Sequence, residues 1–467
     1  MDGGALDKGQ IGADLRLEPG VLEHTRESPP PRLLRKRHDL QELASLPIPD
    51  ELLAEIFLRL PTPADLVRAS GACVSFCRVA AGRSFVRRFH KLHAPPLLGF
   101  LEHERKVFHP AAPPYPSAPE ASATALAADF SFSFLPAPAS EWLVRDIQDG
   151  RVLLDRAPQH DIKNRCKVVF PELVVCDPLH RRYLLLPPIP AHLTATVEQP
   201  LCIRRHRLCD TFLASPVSDG DEGSSVEETS FSVVWMAQCR TKLVAFVFSS
   251  STRQWRAIPS QSWSNLLAGL LSSIVLPLFS CRGYAYGCFY WVTDWREKLL
   301  VLDIQRMKFS IAEPPREARG FLGVDIAFVE AGEGRAGMFV HPKYTNDLTY
   351  SIRQKSCGSP GQWQFERQIS LDFDYSFMGS AGRHLFLFQW GSPSLDAGCF
   401  SLDVKTFQLE RVFVSNSCRP YGHTYSNFPP SFLSTPTISS GVEEGAEEML
   451  EHGGAASSSA QSSQTSE

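Results

Sequence analysis

The sequence predicts an α+β multidomain chain, a small three-helix module followed by an all-β domain of the propeller type. Three observations carry this: apolar residues between 46 and 93 recur at helical spacing, everything after 140 reads as short β runs, and four of those runs share one hairpin pattern. At 467 residues the chain is too long for one small fold. Its 36 Pro and 30 Gly demand frequent turns, which suits many short strands. Lys plus Arg number 47 against 51 Asp plus Glu, and a net charge of -4 is too mild to steer polyanions, so no nucleic-acid partner is expected. The 12 cysteines include no CxxC pair, and neither a secretory apolar segment near Met1 nor an Asn-x-Ser/Thr acceptor is present. A reducing compartment, nucleus and/or cytoplasm, is the expectation.

Along the chain, residues 1–44 mix charges with Gly and Pro and predict a disordered tail. Its cluster Arg32, Arg35, Lys36, Arg37 and His38 reads as a solvated charge run rather than a nuclear import signal. Residues 45–93 are the helical module, 94–140 a Pro/Ala-rich linker leading into a strand near Phe130–Leu135, 141–433 the β domain, and 434–467 a Ser/Gly-rich disordered tail. Leu266 to Phe279 is the one long apolar run. It is shorter than the roughly 20 residues of a membrane helix and holds Ser272, Ser273 and Pro277, so it reads as buried core and no membrane partner is expected.

In the helical module Leu52, Leu53, Ile56, Phe57 and Leu60 span an arc of about 140°, and Pro61 ends the run. Leu58 projects outside that arc and predicts a second, uncovered apolar surface. Thr62 as N-cap, Pro63 at the first helical position and Asp65 in the first turn start the next helix. Leu66, Val67, Cys73, Val74 and Phe76 continue the apolar set, Gly71 divides it, and Ser84 begins a last turn with Phe85, Val86 and Phe89. A unit this small rarely stands alone, which points to a binding module.

The segment LPIPDELLAEIFLRLPTPADLVRASGACVSFCRVAAGRSFVRRFHKLH resembles an F-box, whose pattern is LP-x-E-hh-x-EI-hh-RLP, then L-x-R, then V-C-x-x-W. It departs in an Ile48-Pro49 insertion and in Phe76 where the family usually has Trp. The resemblance implies contact with a Skp-type adaptor, and through it a cullin, at Pro47, Pro49, Leu52, Leu53, Ile56, Leu60, Pro61, Leu66, Val67, Cys73 and Phe76. Cys73, Cys77, His90 and His93 nearly spell a zinc finger. The last gap is one residue short, and the cysteines fall on a helical stretch instead of a turn, so no metal is expected.

The β repeat is an apolar strand, a polar turn and an aromatic or apolar strand. VVCDPLHRRYLLLPP, FVFSSSTRQWRAIPS, LLVLDIQRMKFSIAEPP and CFSLDVKTFQLERV are its copies, with a common gap of six from Asp177 to Tyr183, Ser249 to Trp255, Asp303 to Phe309 and Asp403 to Leu409. Further strand runs are expected at 231–237, 284–292, 324–330 with 336–341, and 385–390. At about 40 to 50 residues per blade this length makes six or seven blades, with unequal loops such as the acidic 217–228. Gly332 to Gly337 spells GxGxxG, but a strand follows it, so it reads as a hairpin turn rather than a phosphate loop. VCDP-x4-Y-x3-PP, then Gly287-x-x-Tyr290-Trp291, then LLVLD-x5-F resemble the F-box-associated, kelch-like regions of plant F-box proteins.

No nucleophile elbow, HExxH or Walker sequence occurs, and His341, His384 and His423 lack regular metal spacing, so neither catalytic residues nor a cofactor are expected. Arg240, Arg282, Trp295, His341 and Trp390 are loop-edge or strand-end candidates, each read first as structural or simply exposed, and target contact is placed on no residue. The expected function is substrate recognition in a Skp-cullin-F-box (SCF) ubiquitin ligase, with the target unknown. The alternatives are a propeller enzyme or a ligand- or sugar-binding propeller, a zinc-dependent nucleic-acid binder, and a scaffold without a ligase role.

Overall fold

The computed structural model describes residues 48–61, 63–93, 95–103, 105–156, 169–198, 200–203, 206–215, 230–267, 278–293, 297–319, 324–342, 345–353, 361–390, 396–415 and 422–428. Both expected tails, Pro47, Thr62, the acidic loop 217–228, residues 268–277 of the long apolar run, and Trp295 lie outside them.

Four short helices open the described chain: α1 (Asp50–Phe57), α2 (Pro63–Ser70), α3 (Val74–Ala80) and α4 (Arg83–Leu92). The sequence led to three. The turn expected at Ser84 is a full ten-residue helix, started from the extended backbone of Gly82. It is held by burial of Phe85 and Phe89, which lie one turn apart on one face.

A β-propeller follows, as expected from the hairpin repeat, and of the six or seven blades the length allowed it has six. Blade 6 holds β1 (Leu97–Glu102) and β2 (Phe108–Pro110), covered by α5 (Ala118–Ala127). Blade 1 is β3 (Trp142–Gln148), β4 (Arg151–Arg156), β5 (Glu172–Asp177) and β6 (Arg182–Leu185). After α6 (Ala191–Thr194) and the small hairpin β7 (Cys202–Ile203) and β8 (His206–Arg207), blade 2 is β9 (Cys209–Ala214), β10 (Ser232–Gln238), β11 (Lys242–Ser249) and β12 (Gln254–Ser262), then α7 (Trp263–Leu266). Blade 3 is β13 (Phe279–Ala285), β14 (Cys288–Thr293), β15 (Leu299–Asp303) and β16 (Lys308–Ala312). Blade 4 is β17 (Val324–Glu330), β18 (Ala336–Pro342), β19 (Asp347–Arg353) and β20 (Trp363–Ser370). Blade 5 is β21 (Tyr375–Ala381), β22 (His384–Gln389), β23 (Gly398–Asp403) and β24 (Leu409–Val414). The ring closes when β25 (Gly422–Ser426) pairs antiparallel with β1.

The repeat has a structural cause. Its four copies are the outer hairpins β5–β6, β11–β12, β15–β16 and β23–β24, and each has a non-glycine residue in left-handed backbone four positions after its anchor: Arg181, Arg253, Met307 and Phe407, with φ of 53°, 54°, 46° and 54°. In three copies the anchor is Asp, whose carboxylate accepts backbone N–H bonds inside the turn, from Leu179 and His180, from Arg306, and from Lys405. The GxGxxG run is the β17–β18 turn, with positive φ at Gly332, Glu333 and Gly334.

Residues 94–140, expected as a linker, are instead part of the ring from Leu97 onward. Leu98, Phe100 and Leu101 are buried in the core shared by blades 5, 6 and 1. No strand forms at 130–135. Asp129 accepts from the Ser131 N–H at 3.0 Å and the Ser133 hydroxyl at 2.6 Å, curling the segment so that Phe130, Phe132 and Leu135 all enter that core. The β domain therefore begins at 97 rather than 141.

The innermost strands are β3, β9, β13, β17, β21 and β25. Successive strands within a blade are antiparallel, so all six innermost strands start on one face of the ring and end on the other. The helices join at the end face, where Leu97 stands opposite Ser426, the Asn427 N–H bonds the Pro96 carbonyl at 3.2 Å, and Phe89 meets Phe428 edge to face. The opposite, distal face receives the connections between blades. Tyr425 of β25 is fully buried, with its ring 5.1 Å from Phe130 and 5.7 Å from Phe108 and its hydroxyl donating to the Gly150 carbonyl at 3.4 Å. Tyr425→Ala is expected to lower unfolding stability by about 3–5 kcal/mol, while Tyr425→Phe, which keeps the ring, lowers it by about 1 kcal/mol. Urea unfolding of both variants checks this ranking.

Candidate interaction surfaces

In the helical module the apolar arc of α1 divides into two stripes. Leu53 and Phe57 point inward, where Phe57 packs edge to face on Phe76 at 5.1 Å and on Phe85 at 6.3 Å. Leu52 and Ile56, one turn apart, point out and remain 54% and 47% exposed. Val67 of α2 and Val74 at the start of α3 add 36% and 80% exposure. Ion pairs Arg78–Asp50 and Arg88–Glu55 brace α1 against α3 and α4. Being exposed, they add little stability and mainly fix orientation.

Leu58 is buried, a correction to the uncovered second surface. The helix ends at Phe57, so the angular projection no longer applies, and the chain turns Leu58 inward with its carbonyl 2.9 Å from His93 Nε2. Of the expected adaptor residues, Leu52, Ile56 and Val67 are exposed, as are Pro49 and Pro61. Leu60, Cys73 and Phe76 are half-buried, and Leu53 and Leu66 are core. Val74 was read as apolar but not as part of this set. Its place at the first position of a short helix leaves nothing above it to cover it. Among the described residues no metal-binding cluster occurs, and His93 stacks on Phe89 at 4.1 Å.

The second surface is the distal mouth of the channel. Arg282, read from the sequence as a loop-edge or strand-end residue and first as structural, is on the innermost strand β13 and ties three blades. It pairs with Asp146 of β3 at 3.0 Å and Asp210 of β9 at 2.9 Å, and lies over the Phe212 ring at 4.6 Å. Asp146 also accepts from the Leu213 N–H at 2.8 Å, and Asp210 from the Trp291 indole at 3.2 Å. Burial pushes the Asp146 carboxyl above its ordinary range, although Arg282 opposes this. Burial, with Arg282 beside it, drives His423 of β25 down to about 3, so that imidazole is neutral at physiological pH. Next to the pair a cleft of about 170 Å³ opens between blades 2 and 3, lined by Asp210, Gln238, Cys281, Arg282 and Trp291. It is smaller than the roughly 300–1,000 Å³ of small-molecule sites and suits one or two side chains.

The remaining candidates are spread out. Arg240 is exposed beside blade 2, whereas His341 is buried, stacked on Phe377 at 5.7 Å, with Nε2 bonded to the Thr345 carbonyl. Trp390 ends β22 on the distal face. Asp146 and Asp210 escaped the sequence reading because single acidic residues in short strands carry no spacing signal.

Residues 47–91 match the F-box-like family model. No curated protein matches the chain. Among solved structures the chain is similar to an oligogalacturonate lyase in complex with manganese, at 9% identity and TM-score 0.29 over 60% of this chain and 63% of that one. It is also similar to TolB from Acinetobacter baumannii, at 11% identity and TM-score 0.30 over 62% and 57%, and to the fucose-specific lectin from Aleuria aurantia, at 12% and 0.31 over 60% and 78%. The chain thus spans less than two thirds of the lyase and of TolB. An F-box-like module followed by a six-bladed propeller describes the protein's architecture.

Removing Arg282 leaves two facing carboxylates with no counter-charge. Arg282→Met is expected to lose about 1–3 kcal/mol of stability at pH 7, less than a fully buried pair because the three side chains are only half-buried. The deficit shrinks as pH falls toward 5, because Arg282 opposes the rise of the Asp146 carboxyl; without it native Asp146 is raised further than in wild type, so the variant takes up more protons on folding and is the more stabilised by acidification. Chemical denaturation of wild type and variant at pH 7 and pH 5 checks this. A deficit of the same size at both values would show that Arg282 acts by packing alone.

Proposed function

We propose that this protein is the substrate-recognition subunit of an SCF-type ubiquitin ligase. The observation that carries the reading is an F-box-like module with apolar side chains facing water. Leu52, Ile56, Val67 and Val74 stand exposed on short helices whose own core is already filled by Leu53, Phe57, Leu66, Phe85 and Phe89. An apolar surface left outside a complete core is what a partner covers. In this reading a Skp-type adaptor covers it and joins the chain to a cullin, while the propeller holds the target protein. The propeller is read as the F-box-associated, kelch-like type of plant F-box proteins, on the VCDP and LLVLD motifs at β5 and β15. The protein works in the nucleus and/or cytoplasm, and neither nucleic acid nor membrane is a partner.

The chemistry belongs to the partners. The chain contributes proximity, since holding a target beside an activated ubiquitin carrier replaces a bimolecular encounter with a local one at high effective concentration.

The test is binding of a purified Skp-type adaptor to the full chain by calorimetry. Wild type is expected to bind, and Leu52→Asp with Ile56→Asp is expected to weaken binding by more than 100-fold with an unchanged circular dichroism spectrum, because both side chains are already outside the core. A folded wild-type chain that does not bind the adaptor contradicts the reading.

A further inference from the structure

The cleft between blades 2 and 3 is built around an irregularity in β13. The rungs between β13 and β14 run Phe279–Thr293, Ser280–Val292 and then Gly283–Tyr290, so Cys281 and Arg282 together stand opposite Trp291. This is a β-bulge, and it holds Cys281 in left-handed backbone at φ 56°. Strain of that kind in a non-glycine residue gathers where geometry serves a site. Here the bulge aims Arg282 at Asp146 and Asp210, and beside that group the buried side chains of Met236, Phe279 and Trp291 wall the cleft. The lining comes from the start of β9 and β13 and the end of β10, so the cleft opens on the distal face, where Ser280 and Cys281 are exposed.

The amide and the charges of the wall are already engaged. Gln238 spends both ends of its amide on one residue: Nε2 donates to the Phe279 carbonyl at 2.8 Å, and Oε1 accepts from the Phe279 N–H at 3.1 Å. Asp210 is held by Arg282 and by the Trp291 indole, and Arg282 by Asp146 and Asp210. A charged occupant would give up its water and meet no free counter-charge, whereas an apolar one gives up nothing. Three sulfur-bearing side chains, Met236, Cys209 and Cys281, share this space with the rings of Phe279 and Trp291. Both kinds of neighbour favour an aromatic ring over an aliphatic chain of equal size. The size agrees, since about 170 Å³ is close to the ~150 Å³ of an apolar cavity that takes up benzene.

We propose that this cleft is the socket for an aromatic side chain, a Phe ring presented by a segment of the target protein. The inference rests on the reading of the chain as a receptor and adds to it the anchor residue that the propeller selects. Mutual pairing of the wall charges selects an uncharged occupant, and the sulfur and ring lining selects an aromatic one. Its place agrees with that role: the cleft opens on the face opposite the one that receives the helices, so adaptor and target segment do not compete for space.

Cys281 reports on the cleft, because it lines it and is exposed, while Cys77 in the helical module is an exposed thiol remote from it. The full chain is treated with iodoacetamide, and the alkylation rate of each cysteine is read by mass spectrometry against rising concentrations of a nine-residue Gly/Ser peptide with one central Phe, or with Leu, Lys or Glu in its place. The Phe peptide is expected to slow Cys281 and leave Cys77 unchanged. The Leu peptide is expected to need about threefold more for the same effect, and the Lys and Glu peptides to have none. Cys281→Phe, which puts a ring of its own at the mouth, is expected to weaken the Phe peptide about tenfold by saturation-transfer NMR, with circular dichroism and adaptor binding unchanged. Should that variant fail to fold, the alkylation series on wild type decides alone. No slowing of Cys281 by the Phe peptide, equal slowing of Cys77, or equal slowing by the Leu or the charged peptides overturns the socket. Failure of the adaptor to bind wild type would instead overturn the receptor reading and leave the alkylation result standing.

Discussion

The pairing of β25 with β1 joins the two ends of the described chain, and every blade depends on it. Closing a loop of that length costs about 5 kcal/mol of chain entropy before any contact is gained. The return is a closed ring, in which the rungs from Leu97–Ser426 to Glu102–Gly422 pair the facing edges of β1 and β25, which would otherwise offer unpaired N–H and C=O groups. Blade 6 has three strands rather than four, and the outer position is covered by α5, whose Ala121 is fully buried against the β1 side. Closure also sets direction. Because β1 must start where β25 ends, the helices that precede it are delivered to one face of the ring.

Within the channel the problem is charge rather than edge. Arg282, Asp146 and Asp210 are drawn from three successive innermost strands, and the pair Arg282–Asp210 links β9 to β13 directly. A half-buried ion group of this kind adds little net stability over apolar packing, but it penalises any arrangement that separates its members. We read it as fixing the register of blades 1 to 3. A neutral His423 beside it keeps the guanidinium from facing a second cation.

Much of the ring was legible because its hairpins use local chemistry. An Asp that bonds the turn and a left-handed residue four positions later are visible as a fixed gap between an acidic anchor and an aromatic or apolar residue, as in Asp177 to Tyr183. The blade 4 counterpart, 354–360, lies outside the described residues, and the repeat skipped that blade. What stayed hidden depends on distance along the chain. Phe108, Phe130 and Phe132 look like linker residues in a Pro/Ala-rich context, and only the arrival of Tyr425 from the far end makes them core. In the helical module the sequence marked the right segment but not which side of each helix faces out. Leu52 and Leu53 are indistinguishable by type, and Leu53 is the one that turns inward with Phe57, one helical turn on, whose ring packs on Phe76 and Phe85.

The two ends of the molecule follow from closure: helices with an exposed apolar face at one end, the connections between blades at the other. Hydrogen exchange, read by mass spectrometry on chains ending after Phe428 and after Ser415, tests this most directly. With β25 present, the amides of β1 and β3 are expected to be protected. Without it, both are expected to lose protection together while β10 and β14 keep theirs. Unchanged protection of β1 in the shorter chain would contradict closure by the last strand, and with it the placement of the two ends.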